Sequence, residues 1–245
     1  MSQQGFANED LILNYLNSKK FKSINKNWQK FLKEIFPEVQ DDDTVLCSKK
    51  GGINKSDLII TINGISKNIS IKIGTGNSVH QEPIEEFITF LKGAYNINED
   101  LANDLRFFIW GDGTFDGKGK IKQRLSAPEF TEKYPEIIER IRIFFKEHKE
   151  DLIKRFVIAG PKSKVIPEYL YHGNKNKGVW RKTEKVIKWL CEDSNESNGA
   201  IPVGRLTFQA WNRNINGGDK SEKKRGVIQL KWGTVGEDLK SIFSE

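Results

Sequence analysis

Two isoleucine-rich runs joined by Asn63-Gly64 constrain the fold of this chain more than any other feature of its sequence. Residues 56–63 read SDLIITIN, and residues 65–73 read ISKNISIKI. Asn and Gly adopt the positive φ angles of a type I′ turn most readily, so the pattern predicts a tight β-hairpin. With these two residues in the turn, Ile62 faces Ile65, which sets the register of every pair that follows.

A polar cluster lies at one end of the predicted hairpin. The register places Asp57 opposite Ser70, and Lys72 shares the face of Ser70 because side chains alternate along a strand. Lys55 then lies opposite Lys72. A hydrophobic core does not need such a cluster. A carboxylate beside an ammonium group suits metal-dependent hydrolysis of a phosphodiester, since the carboxylate holds a divalent cation and the ammonium orients water or stabilises developing negative charge.

The predicted cluster lacks a second carboxylate. Hard cations need more than one oxygen ligand, and a serine is a poor substitute for an acid. A Gly-rich loop at 74–77 follows the hairpin, and an amphipathic helix is predicted over about residues 83–95. Four polar residues lie at its start: Gln81, Glu82, Glu85 and Glu86. On a helix Glu82 and Glu86 share one face, and Gln81 and Glu85 share the neighbouring one. Both pairs lie away from the buried stripe, so either pair can face the end of the hairpin.

Hydrophobic spacing predicts the other core elements. They are helices over 9–21 and 24–36, a short strand near 44–47, a strand over 105–110, a long helix over about 129–150, and a strand over 155–159. The core order is therefore helix, hairpin strands, helix, strand, helix, strand.

The segment Gly51-Gly52 to Lys55-Ser56-Asp57, a hairpin, and then Ser70-Ile71-Lys72 resembles the PD-(D/E)XK nuclease superfamily in its Asp…Ser-x-Lys variant. The resemblance covers roughly residues 25–160 and implies an α/β core in which helices flank a mixed sheet. It implies that Asp57 is the metal-binding aspartate and Lys72 the motif lysine. The sequence departs from the pattern twice: no proline precedes Asp57, and Ser70 replaces the usual acid.

In the variant families a helix glutamate supplies the missing carboxylate, which makes Glu82 and Glu86 eligible. The stretch GNSVHQE, which ends at Glu82, is similar to one in type II restriction endonucleases, and this favours Glu82, with Gln81 beside it. The resemblance implies Mg²⁺ as cofactor, with Mn²⁺ as an alternative cation. Taken singly, each residue also fits a structural role: Asp57 as a turn cap, Lys72 as a surface residue, and the glutamates at a helix N-terminus.

The charge balance agrees with a polyanionic partner. The chain has 40 Lys and Arg against 33 Asp and Glu, a net charge of +7, although a lysine-rich soluble protein has the same balance. No apolar run approaches the ~18 residues of a membrane span, and the first residues do not resemble a signal peptide. Cys47 and Cys191 cannot build a disulfide scaffold or a zinc cluster, so we expect a cytoplasmic protein.

The character of the sequence changes after residue 160. We therefore predict a catalytic core over 1–160, which includes the N-terminal helices, and a C-terminal α+β lobe over 161–245. The lobe is either separate or packed on the same sheet, and it reads DNA with a β-ribbon over 205–232. A short helix over about 180–191 and strands over 201–211 and 226–232 are predicted within this lobe.

Such a two-stranded ribbon fits the major groove, where Arg and Asn contact base edges while Lys contacts phosphates. The candidate DNA-binding residues of the whole chain are Lys55, Asn77, His80, Arg181, Asn212, Arg213, Lys220, Lys223, Lys224 and Arg225. The run from Lys220 to Arg225 equally fits a solvated hairpin tip.

A second polar segment, over 111–124, is rich in glycine. Its basic residues are Lys118, Lys120, Lys122 and Arg124. They could approach a phosphate backbone or belong to a solvated loop. The segment partly imitates a calcium loop, but Gln123 stands where the bidentate glutamate belongs.

The resemblance, together with these observations, implies a Mg²⁺-dependent endonuclease similar to type II restriction enzymes, which cleaves double-stranded DNA at a specific sequence. We expect a homodimer, because a two-fold symmetric dimer matches a palindromic site. Two alternatives stay open. One is a DNA-binding protein on a catalytically inactive nuclease-like core, and the other is a repair or recombination nuclease of the same superfamily. Only an active enzyme needs a further carboxylate close to Asp57 and Lys72.

Overall fold

The computed structural model describes residues 3–49, 55–75, 77–160, 165–192 and 201–242, without the side chains of residues 3, 4, 77, 220 and 221. The chain divides into two compact units, and each is built from separate segments. The first unit comprises residues 1–77, 154–189 and 233–245, and the second comprises 78–153 and 190–232. Neither unit coincides with the predicted core (1–160) or with the predicted C-terminal lobe (161–245). Each unit contains segments from before and after residue 160.

Ten α-helices and ten strands are found in the described ranges. The helices are α1 (Gln3–Leu16), α2 (Lys26–Ile35), α3 (Ile84–Tyr95), α4 (Glu99–Trp110), α5 (Ala127–Lys133), α6 (Pro135–Glu147), α7 (Lys149–Lys154), α8 (Thr183–Leu190), α9 (Asp219–Glu222) and α10 (Val235–Ser241). The strands are β1 (Lys19–Lys20), β2 (Thr44–Lys49), β3 (Leu58–Ile62), β4 (Ile65–Lys72), β5 (Asn77–Pro83), β6 (Tyr169–Gly173), β7 (Gly178–Lys182), β8 (Ile201–Val203), β9 (Leu206–Ala210) and β10 (Val227–Trp232).

The first unit is built on a six-stranded mixed sheet in the order β1-β2-β3-β4-β6-β7. Strands β4 and β6 run parallel, and the other neighbours are antiparallel. The β3–β4 hairpin has the predicted register, with Ile62 paired to Ile65, and both Asn63 (φ 51°) and Gly64 (φ 78°) have positive φ angles. The core of the unit includes Trp28 of α2, whose ring stacks on Tyr171 of β6 at 4.4 Å.

The second unit contains a four-stranded sheet in the order β5-β10-β9-β8. Its core is aromatic. The Phe208 ring lies 5.8 Å from Phe87, 6.1 Å from Phe108 and 4.8 Å from Phe145, and all four side chains are fully buried. Helices α3, α4 and α6 supply the three partner rings of this β9 residue, so the helices cover this sheet through one hydrophobic cluster.

Two predicted strands are wrong. Residues 105–110 form the last turns of α4, whose N-cap Asn98 accepts a hydrogen bond from the Leu101 amide at 3.0 Å. A short apolar run is compatible with a buried strand and with a buried helix end. The N-cap at Asn98 stabilises the start of the helix to which this run belongs. Residues 155–159 form a π-helical turn that continues α7 and ends at Gly160, so they add no strand to the core.

The other differences concern the number and the boundaries of elements. The strand predicted over 201–211 is two antiparallel strands, β8 and β9, and the helix predicted over 9–21 ends at Leu16. The long helix predicted over 129–150 is three helices, because Pro135 begins a new helix at α6. The sequence predicts a helix over about 180–191. Its first three residues, 180–182, belong to strand β7, and the helix itself is α8. Helix α3 and strand β10 lie where the sequence predicted them. Within the described residues, no helix has both the length and the apolar character needed to cross a membrane.

Candidate active site

Asp57, Ser70 and Lys72 meet at the open end of the β3–β4 hairpin in the first unit. The main-chain amide of Asp57 donates at 2.9 Å to the carbonyl of Ile69, the residue paired with Leu58, so Asp57 lies directly beside the last pair of the hairpin. The Asp57 Oδ2 atom accepts hydrogen bonds from the Ser70 hydroxyl at 3.1 Å and from the Ile71 amide at 2.6 Å. The predicted clustering of these residues therefore follows directly from the strand pairing.

Lys72 completes a chain of hydrogen bonds in this cluster. Its Nζ atom donates to Ser70 Oγ at 2.6 Å and to the Ile71 carbonyl at 3.1 Å, and it lies 3.5 Å from Asp57 Oδ2. Ser70 is fully buried, whereas the side chain of Lys72 is 16% exposed and that of Asp57 is 4% exposed. The serine therefore connects the two charged groups, and Lys72 is the residue of the three that is most exposed to solvent.

A second carboxylate, which the sequence analysis missed, belongs to Glu9 of α1. Glu9 is buried, and its Oε2 atom lies 3.6 Å from Lys49 Nζ on β2. Burial raises the pKa of the Glu9 carboxyl, and the negative charge of Asp57 raises it further, while the positive charges of Lys49 and Lys72 act in the opposite direction. Glu9 therefore lies within electrostatic range of both Asp57 and Lys72.

The position of Glu9 on α1 has a sequence signal. Residues Asn8, Glu9, Ile12 and Leu16 are all buried, and their spacing places them on one face of the helix. A glutamate on a buried apolar stripe is unusual, because burial of a charge is unfavourable unless it is paired. That combination distinguishes Glu9 from the exposed neighbour Asp10.

The donor set of this cluster fits a hard divalent cation. Asp57 and Glu9 provide carboxylates and Ser70 provides a hydroxyl oxygen, and Mg²⁺ is commonly held by one or two carboxylates together with water and substrate phosphate. Burial first, and the charge of Asp57 second, raise the pKa of Glu9, as expected for an acid that shares its surroundings with another carboxylate. Within the described residues, no group of three or more His, Cys, Asp or Glu side chains forms a metal cluster.

The predicted helix glutamates lie in the second unit, in different environments. Glu82 is on strand β5 and not on the helix; its Oε1 atom lies 2.8 Å from His80 Nε2, and both side chains are buried. Gln81 alternates with them and donates to Ser78 Oγ at 2.8 Å. Glu86 is exposed in the first turn of α3. The predicted sharing of one helix face by Glu82 and Glu86 is wrong, because the helix begins at Ile84.

Several predicted DNA-contact residues have structural roles. The Arg225 side chain, also in the second unit, is 3% exposed and donates to Asp112 Oδ2 at 2.9 Å. The Arg213 guanidinium lies 4.8 Å over the Phe108 ring and donates to the Leu125 carbonyl. Burial, and then the charge of Arg225, lowers the pKa of Arg213 to about 10. Neither guanidinium is exposed for reading a base edge, because tertiary packing has taken both into the interior.

Arg181, in the first unit, also makes hydrogen bonds within the protein. It donates to the carbonyls of Trp180, at 2.6 Å, and of Ile242. Burial lowers its pKa, and the negative charge of Glu34 opposes that shift. Lys55 is half-buried, and its aliphatic chain passes beside Gly160, where an added Cβ would lie 3.2 Å from Lys55 Cε.

Among the other DNA-contact candidates, His80 is buried against Glu82 and is therefore not exposed to DNA, while the rest are exposed, half-buried or outside the described residues. Lys223 and Lys224 are exposed, and Lys224 Nζ lies 4.0 Å from the Trp211 ring centre. Asn212 is half-buried, and its Oδ1 atom accepts from the Asn214 amide at 2.9 Å. The side chains of Asn77 and Lys220 lie outside the described residues. Lys223 and Lys224 thus stay available for phosphate contacts.

The comparisons with solved structures assign this chain a restriction-endonuclease-like fold. The similarity is to a crystal structure of the restriction endonuclease MspI in complex with its cognate DNA, with a TM-score of 0.54, 15% sequence identity, and coverage of 91% of this chain and 87% of that chain. No family model and no curated protein matches the sequence. The predicted fold class is confirmed, and at this identity the similarity concerns the fold alone.

Proposed function

We propose that this protein is a Mg²⁺-dependent endonuclease that hydrolyses double-stranded DNA at a specific sequence, as type II restriction enzymes do. The observation that carries the proposal is the hydrogen-bonded chain from Lys72 through Ser70 to Asp57. It lies at the end of a hairpin in a fold similar to that of a restriction endonuclease. An ammonium joined to a buried carboxylate is an arrangement suited to a reaction at a phosphodiester.

Asp57 and Glu9 are the residues we propose to hold Mg²⁺. When bound, the cation would polarise the scissile phosphate and lower the pKa of an attacking water. The Ile71 amide donates to Asp57 Oδ2 at 2.6 Å, which orients this carboxylate before any ligand arrives. The partly exposed Lys72 ammonium is placed to orient the water or to stabilise negative charge that develops on the phosphate.

The role of Glu82 as a further metal ligand stays a sequence-based prediction. Its burial and its contact with His80 distinguish it from Glu86, which is exposed. A homodimer on a palindromic site likewise stays part of the proposal, and sedimentation of the protein with and without a duplex measures it.

A DNA-binding protein with an inactive core is the second candidate function. The observation that favours it is Ser70, which stands where the superfamily usually has an acid. Glu9 counts against it, because a buried carboxylate within electrostatic range of Asp57 supplies the second acid that Ser70 does not.

Incubation of a phage-sized DNA with the protein and Mg²⁺, followed by gel electrophoresis, tests the proposal. Discrete bands that disappear with a chelator support a site-specific nuclease. A smear indicates a nonspecific nuclease of the same fold. Intact DNA that nevertheless shifts in a native gel indicates the inactive DNA-binding protein. A Lys72→Ala variant, purified in the same way, is the control for contaminating nucleases. Cleavage by the proposed site should decrease in this variant, whereas cleavage by a contaminant should not.

A further inference from the structure

Two basic segments of the second unit are held together by a buried ion pair, Arg225–Asp112, and by a second pair, Arg124–Glu222, in which only the arginine is buried. One is the loop over 111–124, and the other is the segment over 212–225. They are about a hundred residues apart in the sequence, and no motif connects them. Their side-chain contacts show that they form one structural feature, which we call the paired loops.

The first of the paired loops is organised around Asp112, which is fully buried. Its Oδ1 atom accepts hydrogen bonds from the amide and the hydroxyl of Thr114, at 3.1 and 2.7 Å. Its Oδ2 atom accepts from the Gly119 amide at 3.1 Å. One carboxylate therefore closes the loop from both sides, which explains why a segment with four glycines has a defined conformation.

Two arginines join the loops. Arg225 donates to Asp112 Oδ2 at 2.9 Å and also to the carbonyls of Trp110 and Gly117, both at 3.2 Å. Arg124 makes the reciprocal connection, with both terminal nitrogens 3.1 Å from the carboxylate of Glu222. The side chains of the two arginines are 3% and 6% exposed. These contacts form a junction between the two loops. In it, each arginine charge is paired with a carboxylate of the other loop.

The lysines of the paired loops face solvent. The segments 111–124 and 212–225 together contain nine Lys and Arg against four Asp and Glu, a net charge of +5 out of +7 for the chain. Among the lysines whose side chains the structure describes in these loops, five are exposed: Lys118, Lys120, Lys122, Lys223 and Lys224. Lys118 is paired with Asp116 at 2.7 Å. The buried arginines thus set the geometry, and the lysines leave positive charge on the surface.

Exposed apolar side chains accompany these lysines. Phe115, Ile121 and Ile215 are 52%, 50% and 41% exposed. An added Cβ at Gly217 would lie 3.1 Å from Ile121 Cδ1, so Ile121 is a further contact between the two loops. Apolar side chains among exposed lysines match a duplex, whose grooves offer thymine methyl groups and base edges between two rows of phosphates.

We propose that the paired loops bind the phosphate backbone of duplex DNA, with Lys120, Lys122 and Lys223 as contacts and with Asp112, Arg124, Glu222 and Arg225 as positioning residues. This rests on the proposed function, because the duplex is the substrate proposed for the active site. It reassigns Arg225 from a DNA contact to part of the junction, and it adds the 111–124 loop to the binding surface.

Binding of synthetic duplexes by a Lys120→Ala/Lys122→Ala variant, measured at several salt concentrations without Mg²⁺, tests the proposal. Each lost phosphate contact flattens the slope of log K against log salt by ~0.9, so we expect a slope change of ~1.8 and roughly 60-fold weaker binding at 0.1 M salt. The loss should be the same on every sequence. A Lys30→Ala/Lys146→Ala variant, which removes two exposed helix lysines, is the control for net charge, and melting temperatures verify folding.

The outcomes separate this proposal from the function on which it rests. Weak binding of the loop variant beside near-normal binding of the control supports the paired loops. Equal binding by the two variants, with a wild-type protein that binds DNA, overturns the paired loops and leaves the nuclease proposal intact. A wild-type protein that binds no duplex at low salt overturns both.

Discussion

Arg225 and Asp112, which are 113 residues apart in the chain, form an ion pair at 2.9 Å in which both side chains are almost completely buried. A buried pair of this kind is a poor contributor to net stability when compared with apolar residues, but the loss of one partner leaves an uncompensated charge in the interior. The pair therefore makes the conformation of the 111–124 loop dependent on a residue far away in sequence.

Replacing Asp112 by alanine should lower the free energy of unfolding by about 3–5 kcal/mol, because Arg225 would then be buried without its carboxylate. Urea denaturation measures the change. Asp116→Ala in the same loop is the matched control, since the Asp116–Lys118 pair is exposed and its loss should change stability by less than about 1 kcal/mol. Equal effects of the two substitutions would contradict the structural role of the buried pair.

The same pair predicts how stability changes in acid. Burial opposes ionisation of Asp112, but hydrogen bonds from Thr114 and Arg225 outweigh it and hold the pKa below the ordinary 3.8. A lowered pKa in the folded state stabilises the protein above the ordinary value, and this contribution is lost as the pH falls below it. The difference in unfolding free energy between wild type and Asp112→Ala should therefore decrease below about pH 3.8. A constant difference from pH 7 to pH 2 would count against this linkage.

Asp57→Ala and Lys72→Ala should each reduce cleavage at least about 100-fold while DNA binding stays largely unchanged. Both residues act at the scissile phosphate, and neither is proposed to contact bases. Because the Asp57 carboxylate also accepts the buried Ile71 amide, Asp57→Asn serves as a second variant that keeps a hydrogen-bond acceptor. Full activity in Lys72→Ala or Asp57→Asn would remove the active-site assignment.

Glu9→Gln should reduce cleavage by at least about 10-fold, because the proposed Mg²⁺ site loses one of its two carboxylates and even the loss of a group that only supports a ligand costs about that much. The matched control is Asp10→Asn, because Asp10 is the exposed partner of Lys49 at 2.8 Å. Cleavage rates measured over a series of Mg²⁺ concentrations separate weaker metal binding from other causes. If the two variants behave alike, Glu9 is a buried structural acid and does not belong to the catalytic machinery.

Glu82→Gln should reduce cleavage more than Glu86→Gln does. The buried Glu82 carboxylate contacts His80, whereas Glu86 is exposed on α3. Rates for both variants, together with their melting temperatures, distinguish a loss of chemistry from a loss of folding. A greater loss of activity in Glu86→Gln would show that the surface glutamate supplies the further carboxylate.

Local sequence determined the hairpin and the cluster at its end. The Asn63-Gly64 turn specifies the pairing of Ile62 with Ile65, and the strict alternation of a strand then places Ser70 and Lys72 on one face beside Asp57. These relationships involve residues fewer than twenty positions apart, so turn geometry and strand period suffice to predict them.

Tertiary structure alone decided which charges are buried and which remain available. Arg225 and Lys223 are two residues apart in a basic run, yet Arg225 pairs with Asp112 in the interior and Lys223 is exposed. The cluster likewise acquires Glu9 from a helix that the sequence analysis did not connect with it. Burial depends on which distant segments pack together, and no local period encodes that partnership; the sequence specified the register of the site, and the packed fold specified its electrostatics.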